Sequence, residues 1–255
     1  MKHHLFHNTS LTIGGVTLYN QTDPEHNDMS YQNCLDSNAI LSNRKKLAEE
    51  LGIPLENWVL SIQEHTDHFH EVTSRDIGKG SFSYIEGIPS NDALYTTLPE
   101  VLIGAMTADC LGLCVIDETT PCVAVIHSGW KGTLQSITTK VVSHLLDKGL
   151  IHPETTQVYL SPTLHFDSLE MGQEVIDQFI EAGFDLDGFL KKKDNGKYLL
   201  DNEGLNMAML ERLGITQITR SNWDTLTDTT NTFSHRRKQK GRHMTYAFIK
   251  ESVLQ

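Results

Sequence analysis

Three separate segments of the chain carry side chains that bind transition metals. Residues 107–110 place Asp109 and Cys110 between two apolar runs, and His127 follows a third apolar run. The third segment, residues 61–65, ends in His65. One thiolate and two imidazoles bind zinc tetrahedrally and leave the fourth position open, as in catalytic zinc sites. The sequence therefore predicts a zinc site formed by His65, Cys110 and His127.

The same cysteine and histidine support a second interpretation that needs no metal. A thiolate beside an imidazole can act as a nucleophile with its base. Cys110 and His127 follow neighbouring predicted strands, so both interpretations require them to meet at one edge of a sheet. The residue types alone fit either a metal ligand or a nucleophile.

Two features of the chain favour an anionic ligand. His127 leads into a glycine-containing loop before a predicted helix, and the start of a helix attracts negative charge. Arg236 and Arg237 concentrate positive charge in an acidic chain. Guanidinium groups bind phosphate and carboxylate through two parallel hydrogen bonds. We therefore expect this basic segment to bind an anion.

Short apolar runs rich in branched residues surround these positions. Such runs are typical of buried strands and cover residues 101–106, 111–116, 122–126, 158–160 and 246–249. Helical spacing of apolar residues predicts helices at residues 38–51, 134–146, 172–182 and 202–213. The adjacent glycines 14 and 15 predict the turn of an N-terminal hairpin. Strands and helices mixed in this way predict an α/β (α+β) fold.

The bulk composition limits the classes of protein. The 255 residues contain no repeat or linker, which predicts a single domain over residues 1–255. With 33 acidic and 21 basic residues the net charge is -12, which disfavours nucleic acid as a partner. No apolar stretch approaches the roughly 20 residues that span a bilayer. Cysteines 34, 110, 114 and 122 form no disulfide framework, so we expect reduced thiols and a cytoplasmic location.

Five short motifs occur in a fixed order at residues 63–66, 107–110, 127–133, 169–172 and 233–242. They are similar to Gln-x-His-Gly, Thr-Ala-Asp-Cys, His-Ala-Gly-Trp-Arg-Gly-Thr, Tyr-Glu-Val-Gly, and Phe-Ser-Tyr-Arg-Arg followed by Thr-Gly-Arg. Together they resemble the purine nucleoside phosphorylase family formerly named laccase-domain or multicopper polyphenol oxidase proteins. The resemblance extends over residues 43–249. The chain departs from the pattern at Thr12, Thr66, Ser128, Lys131 and His235.

The resemblance implies a layered domain with a central mixed sheet flanked by helices. It implies zinc, rather than copper, on His65, Cys110 and His127. The implied reactions are phosphorolysis of adenosine, inosine, guanosine and methylthioadenosine, and deamination of adenosine. For this chemistry we expect Asp109 to assist proton transfer at the catalytic group that includes Cys110 and His127. We expect purine nucleoside and inorganic phosphate to be bound by Gln63, Lys131, Arg236 and Arg237, in a monomer or weak homodimer.

Three other functions remain open from the sequence. The first is a cysteine hydrolase that uses Cys110 as nucleophile on cell-wall precursors. The second is a copper polyphenol oxidase, although that chemistry normally needs many more histidine and cysteine ligands. The third is a zinc-containing nucleoside-binding protein without catalytic activity. The His-x-Glu and Cys-x-x-Cys signature of the familiar zinc deaminases is absent, so deamination would use a different arrangement.

Overall fold

The computed structural model describes residues 1–32 and 34–251. Residues 33 and 252–255, which the predicted single domain includes, lie outside the described residues. The α-helices are α1 (Ser37–Leu51), α2 (Trp130–Leu134), α3 (Ile137–Asp147), α4 (Gln173–Glu181) and α5 (Asn202–Arg212). Single 3₁₀ turns lie at Pro24–Asn27, Leu55–Asn57 and Tyr84–Glu86. No helix in the described ranges is long and apolar enough to cross a membrane.

The strands form two larger mixed sheets and one small antiparallel sheet. The first sheet contains β1 (His3–Asn8), β2 (Thr12–Thr17), β3 (Trp58–Leu60), β6 (Leu102–Thr107) and β14 (His243–Ile249), in the order β1-β2-β14-β6-β3. The second contains β4 (Phe69–Glu71), β5 (Ala93–Thr96), β7 (Leu111–Asp117), β8 (Cys122–Ser128), β9 (Gln157–Leu160) and β13 (Gln217–Arg220), in the order β13-β9-β7-β8-β5-β4. The small sheet contains β10 (Glu170–Met171), β11 (Leu190–Lys192) and β12 (Tyr198–Leu200).

Hydrophobic side chains divide these elements into four layers. Between the two larger sheets, side chains such as Val59, Ile103 and Val125 form one buried cluster. The outer face of the first sheet packs on α1, and the outer face of the second packs on α3 and α5. In α3 the buried residues 137, 141, 142 and 145 lie on one face, as the helical period requires. Helices therefore cover both outer faces.

The predicted mixed α/β fold is confirmed. The predicted helices correspond to α1, α3, α4 and α5, and the predicted strands correspond to β6, β7, β8, β9 and β14. The sequence led us to expect one central sheet, whereas the strands divide between two packed sheets. β6 lies in the first sheet and β7 in the second, so the chain crosses from one to the other through residues 108–110.

The N-terminal hairpin is present, but its turn is not at the glycine pair. β1 and β2 pair antiparallel around residues 9–11, and Gly14 and Gly15 lie within β2. A Cβ on Gly14 would lie 2.6 Å from Phe6, and a Cβ on Gly15 would meet the phenol group of Tyr246. These glycines are required by close packing across the sheet rather than by turn geometry.

The helix predicted at residues 134–146 begins three residues later, as α3, and a separate short helix, α2, precedes it. α2 ends at Leu134, and α3 begins at Ile137 after Ser136, which has a left-handed backbone with φ 59°. No glycine or proline marks this break in the sequence. α2 has only five residues, so the helix after His127 provides a much shorter dipole for an anion than the sequence suggested.

We predict that Gly15→Ala destabilises the fold by about 1–3 kcal/mol, because the added methyl group overpacks against Tyr246. Urea denaturation measures the change in the free energy of unfolding. Tyr246→Phe removes part of the obstruction, so the double variant should lose less stability than the sum of the two single variants. Strict additivity, or a Gly15→Ala variant as stable as the original protein, would contradict this packing argument.

Candidate metal centre and its cavity

Strand pairing brings two of the predicted ligands to one edge of the second sheet. Cys110 lies directly before β7, and His127 lies in β8 opposite Gly112 of β7. His65 arrives from the first sheet, in the loop that follows β3. The convergence predicted from the sequence is therefore present in the structure.

The three side chains have the spacing of a metal site. Their ligand atoms all lie within 4.8 Å of one another, and Cys110 Sγ is 3.7 Å from His65 Nε2. Tetrahedral zinc, with a Zn–S bond of about 2.3 Å and Zn–N bonds of about 2.0–2.1 Å, separates sulfur and nitrogen by about 3.5 Å. The arrangement therefore fits a metal ion with little movement. Among the described residues, no other set of three or more histidine, cysteine, aspartate or glutamate side chains has its ligand atoms this close together.

One buried carboxylate positions two of these ligands. Asp92 Oδ1 lies 2.7 Å from Nδ1 of His127, which leaves Nε2 of that ring for the metal. Asp92 also accepts hydrogen bonds from the backbone N–H groups of Glu64, His65 and Thr66 and from the Thr66 hydroxyl. These bonds hold the loop that presents His65, whose backbone has a φ of 60°. Asp92 is thus the shared support of His65 and His127.

The loop after His127 packs closely against the other ligands. A Cβ on Gly129 would lie 2.7 Å from Cys110 Sγ and 3.3 Å from His65 Cδ2, so only glycine fits there without movement. Ser128 is completely buried, and its hydroxyl donates to Asn206 Oδ1 of α5 at 2.9 Å. Ser128, one of the departures from the family motif, therefore anchors the loop to a helix.

Charge interactions shift the pKa values of the three central groups. Burial raises the pKa of the Cys110 thiol, but the charge on His127 and hydrogen bonds with His127 and His65 outweigh it and lower that pKa to about 6. Burial lowers the pKa of His127, whereas Cys110 and Asp92 raise it to about 9. Burial likewise raises the pKa of Asp92, and its hydrogen bonds lower it to about 2. Without a metal, a thiolate and an imidazolium are favoured near neutral pH.

The three ligands line a cavity of about 330 Å³. This volume is at the lower end of the range of small-molecule sites. Tyr31 and Tyr84 add aromatic surface, and Arg44 and Arg242 add positive charge. The cavity can therefore hold a small polar molecule with a flat ring.

Two of the predicted site residues line this cavity with their polar groups already engaged. The Gln63 amide donates to the Met106 carbonyl at 2.8 Å and accepts from the Met106 N–H at 2.7 Å. The Asp109 carboxylate accepts hydrogen bonds from the Thr225 hydroxyl and the Arg236 N–H. Both side chains join parts of the chain that surround the cavity.

The other three predicted site residues are not among those that line the cavity. Arg237 donates to the backbone carbonyls of residues 226, 228 and 232. Arg236 Nη2 donates to the Glu170 carbonyl at 2.7 Å. Lys131 Nζ lies 5.6 Å from the centre of the Trp130 ring. The structure therefore does not bring the predicted anion-binding group into the cavity, and its role stays a prediction.

Two residues of the site, Asp92 and Arg44, were not identified from the sequence. Asp92 stands immediately before the apolar strand β5, and a carboxylate at such a position is a signal that could have been used. Arg44 lies on the apolar face of α1, between the buried residues Ile40 and Leu47, which is an unusual place for a charge. Arg242 lies in the basic motif at residues 233–242 that the sequence indicated, and it lines the cavity, whereas Arg236 and Arg237 of the same motif do not.

A family model described as multi-copper polyphenol oxidoreductase laccase matches residues 10–250. The chain belongs to this family. The resemblance found in the sequence motifs is therefore confirmed. One relative, the purine nucleoside phosphorylase YlmD of Bacillus subtilis strain 168, is 29% identical over 217 residues, which cover 84% of this chain and 78% of the relative.

Two further similar proteins agree with this result. The adenosine deaminase RL5, from an unknown prokaryotic organism, is 32% identical over 185 residues, which cover 71% of this chain and 69% of the relative. The crystal structure of YlmD from Geobacillus stearothermophilus superposes with a TM-score of 0.87 at 26% identity and covers 94% of this chain and 92% of that chain. The fold and the family are thus shared with proteins named for nucleoside chemistry.

We predict that Asp92→Asn weakens metal affinity by about 10–100-fold, the usual cost of losing a support of a histidine ligand. An amide offers one acceptor oxygen in place of two, so some of the N–H groups of residues 64–66 lose their partner. Competition with a chelator measures the affinity.

Asp76→Asn is the matched control. Asp76 is also buried and accepts hydrogen bonds from a backbone N–H and contacts a histidine, His70, but it does not line the cavity. This variant should keep the original metal affinity. Equal affinity in both variants would show that Asp92 does not support the ligands.

Proposed function

We propose that this protein is a zinc-dependent purine nucleoside enzyme. The proposed reactions are phosphorolysis of adenosine, inosine, guanosine and methylthioadenosine, and deamination of adenosine. The observation that carries the proposal is the cluster of His65, Cys110 and His127 in a cavity large enough for a small ligand. The names of the relatives, purine nucleoside phosphorylase and adenosine deaminase, support the substrate class.

The donor set favours zinc over copper oxidase chemistry. One thiolate and two imidazoles suit tetrahedral zinc with an open position. A multicopper oxidase requires ligands for several copper ions, whereas the described residues provide one cluster of three. Zinc held there would supply a Lewis acid beside the substrate.

The chain's own residues would orient the substrate and control protons. Tyr31 and Tyr84 line the cavity and offer ring faces for a purine. Asp92 keeps His127 in the orientation in which Nε2 faces Cys110. We propose that Asp109 assists proton transfer, because this residue lines the cavity and its carboxylate keeps lone pairs beyond the two that accept from residues 225 and 236.

A second candidate function is that of a metal-free cysteine hydrolase, and one observation favours it. Cys110, His127 and Asp92 form a nucleophile, base and carboxylate series, with the His127–Asp92 contact at 2.7 Å. The same order of groups activates cysteine nucleophiles. In this function the Cys110 thiolate attacks an amide carbonyl, so the sulfur cannot also be committed to a metal.

The cellular setting also remains a proposal. We propose a cytoplasmic location, which is supported by the reduced state of the four cysteines 34, 110, 114 and 122 in the structure. The single-domain organisation over residues 1–255 and the monomeric or weakly dimeric state stay predictions.

We predict that the purified protein contains about one zinc per chain and converts nucleosides by two routes. Free base and ribose 1-phosphate should form only when phosphate is present, and inosine should form from adenosine with or without phosphate. Mass spectrometry of the products and elemental analysis of the protein measure both. Cys110→Ser should lose metal and both products, because a thiolate ligand is removed.

Cys122→Ser is the control for this experiment, since Cys122 lies at the opposite end of β8 from His127. It should retain zinc and activity. Products that form at an unchanged rate after complete metal removal would contradict the zinc-dependent function.

We predict that bound zinc protects Cys110 from a small alkylating agent, because the sulfur electrons are committed to the metal. After chelation, Cys110 should react with an apparent pKa near 6, well below that of an ordinary thiol. Peptide mapping over a pH series measures this, with buried Cys114 as an internal comparison. A covalent adduct between substrate and Cys110 in active, metal-free protein would instead establish the cysteine hydrolase.

A further inference from the structure

Arg44 is a buried cation that forms no ion pair with an acidic side chain of the described residues. It is 3% exposed, and its four hydrogen bonds go to the backbone carbonyls of Met29, Gly80 and Ser81. A guanidinium group has five N–H donors, so one Nη2 hydrogen has no acceptor among the described residues. Burying a charge without a counter-ion is costly. The side chain also lines the cavity, so its charge is available to a ligand there.

The charge of Asp28 acts on Arg44, but the two side chains form no ion pair. Asp28 Oδ1 accepts hydrogen bonds from the backbone N–H groups of Ser30 and Arg242 at 2.9 and 2.8 Å. Burial raises the pKa of Asp28 to about 6, which further limits its negative charge in mildly acidic solution. Asp28 therefore fixes the backbone of two cavity-lining residues and leaves the arginine charge in place.

A second arginine faces the same cavity with unused donors. Arg242 Nη1 donates to the carbonyls of Lys240 and Gly241, while Nε and Nη2 have no acceptor in the described part of the chain. Arg44 also lies 4.3 Å above the ring centre of Tyr31, which holds the guanidinium plane in a fixed orientation. The guanidinium groups of Arg44 and Arg242 therefore belong to residues that line the same cavity.

The charge of the cavity lining is opposite to that of the whole protein. The chain carries a net charge of -12. Away from the candidate metal ligands, the cavity is lined by two arginines and by a single acidic residue of the described chain, Asp109, which already accepts two hydrogen bonds. A concave surface of one sign concentrates ligands of the other sign. The lining therefore favours an anionic group.

We propose that Arg44 and Arg242 form an oxyanion subsite that binds a phosphate group. The group is either inorganic phosphate or the phosphoryl group of a nucleotide, since both present the same oxygens to a guanidinium fork. This inference rests on the proposed function only for the nucleoside that would share the cavity with the phosphate group. It assigns the anion to a pair of arginines other than Arg236 and Arg237.

Thermal unfolding in increasing inorganic phosphate tests this subsite directly, with sodium chloride holding the ionic strength constant. A ligand that binds the folded protein raises the Tm with its concentration, and the rise gives an apparent Kd. Arg242→Gln should weaken the apparent Kd for phosphate by about tenfold or more, because charged hydrogen bonds are lost. The assay needs no turnover, so its outcome is separate from any failure of the proposed reactions.

Three further variants show whether the loss of phosphate binding is specific to the proposed pair of arginines. Lys240→Gln removes a positive charge two residues away on an exposed side chain and should leave the apparent Kd unchanged. Arg236→Gln tests the assignment made from the sequence. Arg44→Lys keeps the charge but loses the free Nη2 hydrogen, so it should also weaken binding; if that variant does not fold, Arg242→Gln decides alone.

A parallel titration with adenosine 5′-monophosphate identifies the source of the anion. Protection by inorganic phosphate supports a subsite for free phosphate, and protection by the nucleotide alone supports a subsite for a substrate phosphoryl group. The proposal is overturned if neither ligand raises the Tm, or if Arg242→Gln binds as well as the original protein. It is also overturned if Lys240→Gln or Arg236→Gln weakens binding as much as Arg242→Gln.

Discussion

The hydrogen bonds of the Asp92 carboxylate connect two segments of the chain that are far apart in sequence. Asp92 is 1% exposed, and a buried carboxylate is stable only when hydrogen bonds replace its water. Here the replacement comes from the backbone of residues 64–66, from the Thr66 hydroxyl and from His127. The left-handed backbone of His65 is held by these bonds. If they were absent, neither the position of His65 nor the ring orientation of His127 would be fixed.

The layered fold provides the rigid frame in which this carboxylate acts. β7 and β8 are paired in register along their whole lengths, so the position of Cys110 relative to His127 is set by a sheet rather than by a mobile loop. The chain crosses between the two larger sheets at residues 108–110, and the cavity forms beside that crossing. Cys110 and His127, which strand pairing positions, therefore lie beside His65, which a loop positions. The cavity leaves these three side chains accessible to a substrate.

Sequence reasoning selected the three residues that the fold brings together as a candidate metal site, because cysteine and histidine between apolar strands have few structural roles. It found the strands and most helices because their apolar periods were clear. It placed the hairpin turn wrongly at Gly14 and Gly15, since a glycine needed for packing against Tyr246 looks the same as a glycine needed for a turn. Asp92 and Arg44 were missed because their roles depend on contacts between distant segments. Arg237 is the opposite case, a residue that the sequence predicted for the site. Its guanidinium group donates to backbone carbonyls, and no motif in the sequence reveals these contacts.

The central claim is that His65, Cys110 and His127 together hold one zinc ion with an open position. X-ray absorption at the zinc edge of the zinc-loaded protein measures the ligand atoms and distances directly. The account predicts one sulfur at about 2.3 Å and nitrogen or oxygen neighbours at about 2.0–2.1 Å, with a total coordination of about four. A spectrum without a sulfur neighbour, or with about six oxygen or nitrogen neighbours, would contradict it.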